Sequence, residues 1–267
     1  MTSITLVLGS GGARGLSFVG ALQALAEAGV RVGRVVGSSM GALIGAAYCS
    51  GTPLADIEEA VRGLRLRRLL RPTLRGPGFL SRRPIERLAA GLISAARFED
   101  LVVPLEVVCT DLGRGEAAAF DSGALLPPVV GSCLTAGAFA PVLHEGRLLV
   151  DGGYTDPVPA RVSRQGETVL ILDPCARPDW DLPVGISDGR SWLASPRLPC
   201  LAALKAMDAL ILSLVDERLR SGGHLRVVPD LGSMRFTDFH LADFAISRGR
   251  MAVRQSLIHL DASLKPQ

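Results

Sequence analysis

Short, branched apolar runs, each too brief for a helix, recur along this chain between segments with helical spacing, and that alternation admits few folds. The runs are Ile4–Leu8, Arg34–Val36, Leu105–Cys109, Leu148–Val150, Val169–Leu172 and Leu225–Val228. Between them, Phe18, Leu22 and Leu25 share one helical face ahead of a stop at Gly29, and Leu54, Ile57 and Val61 repeat the spacing. Strands alternating with helices predict an α/β protein of three layers, α/β/α, around a mostly parallel central sheet. With 267 residues and 48% hydrophobic content, the chain can bury the core of one domain. That domain is expected to span residues 1–267, with a motif-bearing core at about 4–175 and a helical C-terminal part at about 198–262. Leu201–Leu219 reads as a long, very apolar helix packed into the core, its other readings being a dimer face or a lipid-contacting wall. Phe239–Leu260 reads as a closing helical region. Gly76-Pro77-Gly78, Pro127-Pro128 and Pro178–Pro183 punctuate connections.

Composition removes several classes. The cysteines Cys49, Cys109, Cys133, Cys175 and Cys200 form no CxxC pair, and an odd, widely spaced set argues against a zinc site and a disulfide framework. The N-terminus has no basic leader region and no apolar stretch is long enough to span a bilayer, so a cytoplasmic location is expected. The net charge of +3 is small, but Arg62, Arg65, Arg67, Arg68, Arg71, Arg75, Arg82 and Arg83 crowd one stretch.

Gly37-Ser38-Ser39-Met40-Gly41 is a G-x-S-x-G between an expected strand, Arg34–Val36, and an expected helix, Met40–Cys49. On such a sharp turn a serine needs flanking glycines at Gly37 and Gly41, and its hydroxyl stands at the edge of the sheet above the positive end of the next helix. A second cluster, Gly9-Ser10-Gly11-Gly12-Ala13-Arg14-Gly15, follows the first strand. Its spacing departs from the dinucleotide fingerprint, because Arg14 stands where the third glycine belongs, and no Walker loop is present. What remains is a row of backbone N–H groups at a helix start, suited to an oxyanion beside Ser39. Arg14 either braces that loop or attracts an anionic head group.

A nucleophilic serine needs a base. His224, His240 and His259 could follow Asp173 or Asp216 but fit that role poorly, since none stands in a glycine-bounded loop after a strand, and His144 sits in a turn at Glu145-Gly146 before Leu148–Val150. Asp151 closes a short apolar strand and precedes Gly152-Gly153. Carboxylates collect at the carboxyl ends of parallel strands in α/β sites, although an aspartate before two glycines also reads as a simple β-turn.

Taken in order, the glycine loop, the G-x-S-x-G and the later D-G-G resemble the patatin-like phospholipase family, particularly its compact bacterial members. The resemblance continues through Thr110–Gly123 (TDLGRGEAAAFDSG), GSCLTAGAFAPV and DGGYTDPVP, covering roughly residues 4–175. It implies a serine lipid-acyl hydrolase, phospholipase A or lysophospholipase in type, working through an acyl-enzyme. Ser39 would be the nucleophile and Asp151 the other half of a Ser-Asp dyad. Gly11, Gly12, Ala13 and Arg14 would carry over to the oxyanion loop, with Gly152 and Gly153 following the aspartate. The resemblance implies no third catalytic residue, no metal and no cofactor. An aspartate in that role requires a partly desolvated site to raise its basicity. Departures from the family pattern at Ala136-Gly137, Ala140-Pro141 and Asp156 are expected to touch the acyl-pocket wall. Two other readings keep the same residues: an idle regulator binding lipid or protein, and an acyltransferase.

The arginine stretch reads either as a solvated surface or as a peripheral contact with anionic membrane. In the second reading Arg65, Arg67, Arg68 and Arg71 face the lipid, and Leu64, Leu66, Leu69 and Leu70 supply the apolar side of a lid-like patch. Nucleic acid is a poor partner, because Phe79 is the run's only aromatic residue.

Overall fold

A computed structural model describes residues 3–74, 78–160, 168–175, 198–220 and 225–263, side chains excepted at residues 198–205 and 259–263. An eight-stranded sheet runs β10-β9-β1-β2-β5-β8-β7, with β6 also paired to β5. Its strands are β1 Ile4–Leu8, β2 Val32–Ser38, β5 Leu105–Asp111, β6 Glu116–Phe120, β7 Val142–His144, β8 Arg147–Asp151, β9 Thr168–Leu172 and β10 Leu225–Val227. β10, β9, β1, β2 and β5 are mutually parallel, while β6, β7 and β8 join antiparallel. A separate two-stranded hairpin pairs β3 Arg71–Pro72 with β4 Leu80–Ser81.

The helices are α1 Ser17–Glu27, α2 Met40–Cys49, α3 Leu54–Arg62, α4 Leu66–Leu69, α5 Arg83–Leu92, α6 Leu126–Ser132, α7 Leu198–Leu219 and α8 Ala242–Ser263. Side-chain alternation along the strands divides the core in two. Leu6, Leu8 and Val35 join the large cluster with α1, α2 and α8, whereas Val7, Val36 and Ile171 face α7 through Val215. The chain is therefore α/β, with helices on both faces of a mostly parallel sheet, as the alternating runs imply. Glycines permit the tightest contacts: a Cβ at Gly41 of α2 would overlap the Leu8 carbonyl of β1.

Several elements differ from the sequence reading. The alanine-rich β6 and the short β3, β4 and β7 carry weak strand signals of their own and form by pairing with neighbours. The closing region begins with a 3-10 turn at Phe239–Leu241 before α8. α7 both packs, through Ile211, Leu212 and Val215, and walls a cavity, through Met207 and Ile211. Arg75, Gly76-Pro77, Pro178–Pro183 and His224 lie outside the described residues, as do the side chains of Cys200 and His259.

Along β5 the topology sets up the site. β5 pairs with β2 through Leu105–Val108 and with β8 through Cys109–Asp111, while β6 holds its opposite edge. β2 and β8 thus share one lane of the sheet and run toward each other. Their last residues, Ser38 and Asp151, lie opposite the consecutive residues Val108 and Cys109. Asp151 therefore ends an antiparallel strand, not the parallel one expected, and it meets the elbow head to head.

Candidate active site

Ser39 stands between β2 and α2 with φ 56° and ψ −121°, a conformation that non-glycine residues rarely hold. Its backbone is pinned from both sides. The Ser39 N–H donates to Ser132 Oγ at 2.7 Å, and that hydroxyl donates onward to the Val108 carbonyl at 2.6 Å. Cys133 Sγ donates to the Ser39 carbonyl at 3.3 Å. Gly37 leaves room for the turn, since a Cβ there would press on the Gly41 carbonyl and on Ala42.

The Ser39 hydroxyl donates to Asp151 Oδ2 at 2.6 Å, and the Gly153 N–H donates to Asp151 Oδ1 at 2.8 Å. Gly152 is needed for that approach, because a Cβ would overlap the Val108 carbonyl. Burial pushes the Asp151 carboxyl up to about 6, against the lowering effect of the hydrogen bonds from Ser39 and Gly153. At neutral pH it is thus mostly ionised, and more basic than a solvated aspartate.

The glycine loop is tied to the elbow by a 2.9 Å hydrogen bond between the Ser10 and Ser38 hydroxyls. Within it the four expected residues divide. Ala13 N–H donates to the Phe236 carbonyl at 2.8 Å and Arg14 N–H to the Gly11 carbonyl at 3.0 Å, so both amides are committed. The Gly11 and Gly12 amides have no partner among the described residues, and both glycines border the same cavity as Ser39 and Asp151. The Arg14 side chain is 3% exposed and pairs with Asp208 of α7 at 2.5 Å, so it braces the loop rather than meeting solvent anions.

That cavity holds about 550 Å³, a size usual for small-ligand pockets. Leu43, Leu66, Leu69, Ile85, Leu88 and Phe139 give it a largely apolar wall. The segment before β8 reaches it through Thr135, Ala138 and Phe139. Asp156, expected in the wall, lies instead 3.6 Å from Arg218 of α7, whose guanidinium also donates to the Thr155 carbonyl at 3.0 Å.

Among the described residues, neither His144 nor His240 lines the cavity. His144 packs against the Phe120 ring and His240 is exposed. Asp173 is fully buried against Arg226 at 2.5 Å. No group of His, Cys, Asp and Glu among the described residues is arranged to hold a metal ion. Ser132, Ser10 and Asp208 escape sequence reasoning. Ser132 lies in the GSC motif, but an isolated serine gives no sign that it receives an N–H from a residue 93 positions earlier.

The arginine stretch divides as well. Leu64 is buried, and Leu66 and Leu69 turn inward onto the cavity, so these leucines are not the lipid-facing surface expected of them. Apolar side chains on so short a helix are drawn toward the larger apolar volume beneath it. The Arg65 guanidinium folds back onto the Arg62 and Leu64 carbonyls, both at 2.7 Å. No helix among the described residues is long and apolar enough to cross a membrane.

A family model described as patatin-like phospholipase matches residues 6–163. An uncharacterized NTE family protein of Mycobacterium tuberculosis is 36% identical over 159 residues, covering 58% of this chain and 44% of that protein. The human patatin-like phospholipase domain-containing protein 6 is 33% identical over 211 residues, covering 73% of this chain and 15% of that protein. The chain thus spans less than half the length of these relatives. In structure it is similar to VipD from Legionella pneumophila, with a TM-score of 0.60 over 97% of this chain and 67% of that one. At 17% identity that likeness concerns the fold.

Proposed function

The chain belongs to the patatin-like phospholipase family, and from that membership and the geometry around Ser39 we propose that it is a serine lipid-acyl hydrolase with a Ser39-Asp151 dyad. The observation that carries the reading is the 2.6 Å hydrogen bond from a strained, elbow-mounted serine to a half-buried carboxylate whose pKa is raised to about 6. Asp151 takes the hydroxyl proton as Ser39 Oγ attacks the ester carbonyl, and the Gly11 and Gly12 amides, without a partner among the described residues, receive the negative charge that develops on the carbonyl oxygen. Asp151 then returns the proton to the departing alcohol, leaving the acyl group on Ser39. Water, deprotonated by the same carboxylate, releases the fatty acid and restores the serine. The apolar cavity takes the acyl chain, which fits phospholipid or lysophospholipid substrates.

Labelling with a fluorophosphonate, read by mass spectrometry on wild type, Ser39→Ala and Asp151→Asn, tests this. The expected result is an adduct on Ser39, absent in the first variant and formed much more slowly in the second. An unlabelled, folded wild-type protein would overturn the hydrolase reading in favour of a lipid- or protein-binding regulator.

A further inference from the structure

Between Glu59 and Glu86 the chain carries eight arginines and no carboxylate. Some are neutralised within the fold: Arg62 pairs with Glu58 at 2.9 Å and Asp243 at 2.6 Å, and Arg82 pairs with Glu86 at 2.8 Å. Arg67, Arg68 and Arg71 are exposed and have no ion-pair partner among the described residues. They flank apolar side chains that the fold leaves in water. Leu74 is fully exposed, Phe79 is 80% exposed and Leu70 is 38% exposed.

This surface is continuous with the cavity. Leu70 is exposed and also lines the cavity, so the cavity reaches the surface beside α4. On the inner side Leu66, Leu69 and Leu80 continue the apolar wall. The β3–β4 hairpin is held against the mouth by the Leu80 N–H, which donates to the Ala138 carbonyl at 2.9 Å. Within the hairpin, the Thr73 N–H donates to the Phe79 carbonyl at 3.0 Å. Leu74 and Phe79 therefore project from an anchored element.

We propose that α4 and the β3–β4 hairpin form a docking surface for an anionic lipid bilayer, inserting Leu74 and Phe79 at the interface while Arg67, Arg68 and Arg71 meet the head groups. The proposal rests on reading the cavity as an acyl site, for which it supplies the route of entry. Exposed apolar tips ringed by cations without an ion-pair partner among the described residues match the layering of an anionic membrane surface, where charge lies outside and hydrocarbon beneath. An acyl chain leaving the bilayer at this point meets the leucines of α4 before it reaches Ser39.

Vesicle co-sedimentation with phosphatidylcholine alone and with phosphatidylcholine–phosphatidylglycerol mixtures tests the proposal, alongside hydrolysis of a water-soluble short-chain ester. Wild type is expected to bind the anionic vesicles and to lose that binding in high salt. Arg67→Gln, Arg68→Gln and Arg71→Gln together should weaken partitioning about 100-fold. Leu74→Ser with Phe79→Ser should weaken it at least 10-fold. Turnover of the soluble ester is expected to be unchanged in both variants. Soluble-ester turnover without binding to anionic vesicles, or full binding by either variant, overturns the docking surface and leaves the hydrolase reading standing. Vesicle binding that follows this mutational pattern in a protein inert toward the ester upholds the surface and removes the hydrolase reading.

Discussion

Replacing Asp151 with asparagine should raise stability increasingly as pH rises from acid to neutral. Burial lifts the folded-state pKa from an ordinary 3.8 to about 6, so the native state binds this proton more tightly than the unfolded chain does. Below about pH 3 both states are protonated and burial costs nothing through ionisation. As pH climbs, the unfolded chain ionises first, and the native state loses relative stability until pH passes the folded value of about 6. The full shift corresponds to at most about 3 kcal/mol, since the carboxylate is half-buried and opens onto the cavity. Roughly 2 kcal/mol of it accrues between pH 4.5 and 8. Asparagine carries no charge, and whatever it loses in hydrogen bonding to Ser39 and Gly153 is a nearly constant offset. Every other titrating group is common to both proteins and cancels in the comparison. The Tm difference between Asp151→Asn and wild type, measured by thermal denaturation at a series of pH values, should therefore increase by about 4–8 °C between pH 4.5 and 8. A difference that stays flat with pH would refute the argument that desolvation sets the basicity of Asp151. The same ionisation should appear in wild-type ester turnover as a rise centred near pH 6.

Two further predictions concern positions around the site. Ser39 holds φ 56° and ψ −121°, so Ser39→Gly should be more stable than Ser39→Ala by about 1–3 kcal/mol in urea unfolding, and equal midpoints would mean that the elbow stores no backbone strain. Asp208→Ala leaves the Arg14 guanidinium buried without its carboxylate, and its Nε and Nη1 already lack partners among the described residues. A loss of about 3–5 kcal/mol is expected, most of it recovered when Arg14→Met is combined with Asp208→Leu; wild-type stability in Asp208→Ala would show that the pair is not structural.

What the sequence determined by itself was whatever depends on neighbours along the chain. Branched apolar runs, helical spacing and flanking glycines marked out the α/β order, α2 from Met40 to Cys49 and the serine elbow, because strand, helix and turn preferences are written over a few consecutive residues. Asp151 was legible only as half of an ordered set of motifs, since an aspartate before two glycines is by itself also a turn. Tertiary structure decided the rest, because it depends on which distant segments share space. The antiparallel pairing of β8 with β5 brings Asp151 to Ser39, 112 positions earlier, in a 2.6 Å hydrogen bond. The same packing recruits Ser132 to the Ser39 amide, spends the Ala13 and Arg14 amides elsewhere and brings Asp208 to Arg14. It also sorts one leucine–arginine run by what lies beneath it: Leu66 and Leu69 turn in because an apolar cavity is there to receive them, and Leu74 and Phe79 stay in water because nothing in the described fold covers them.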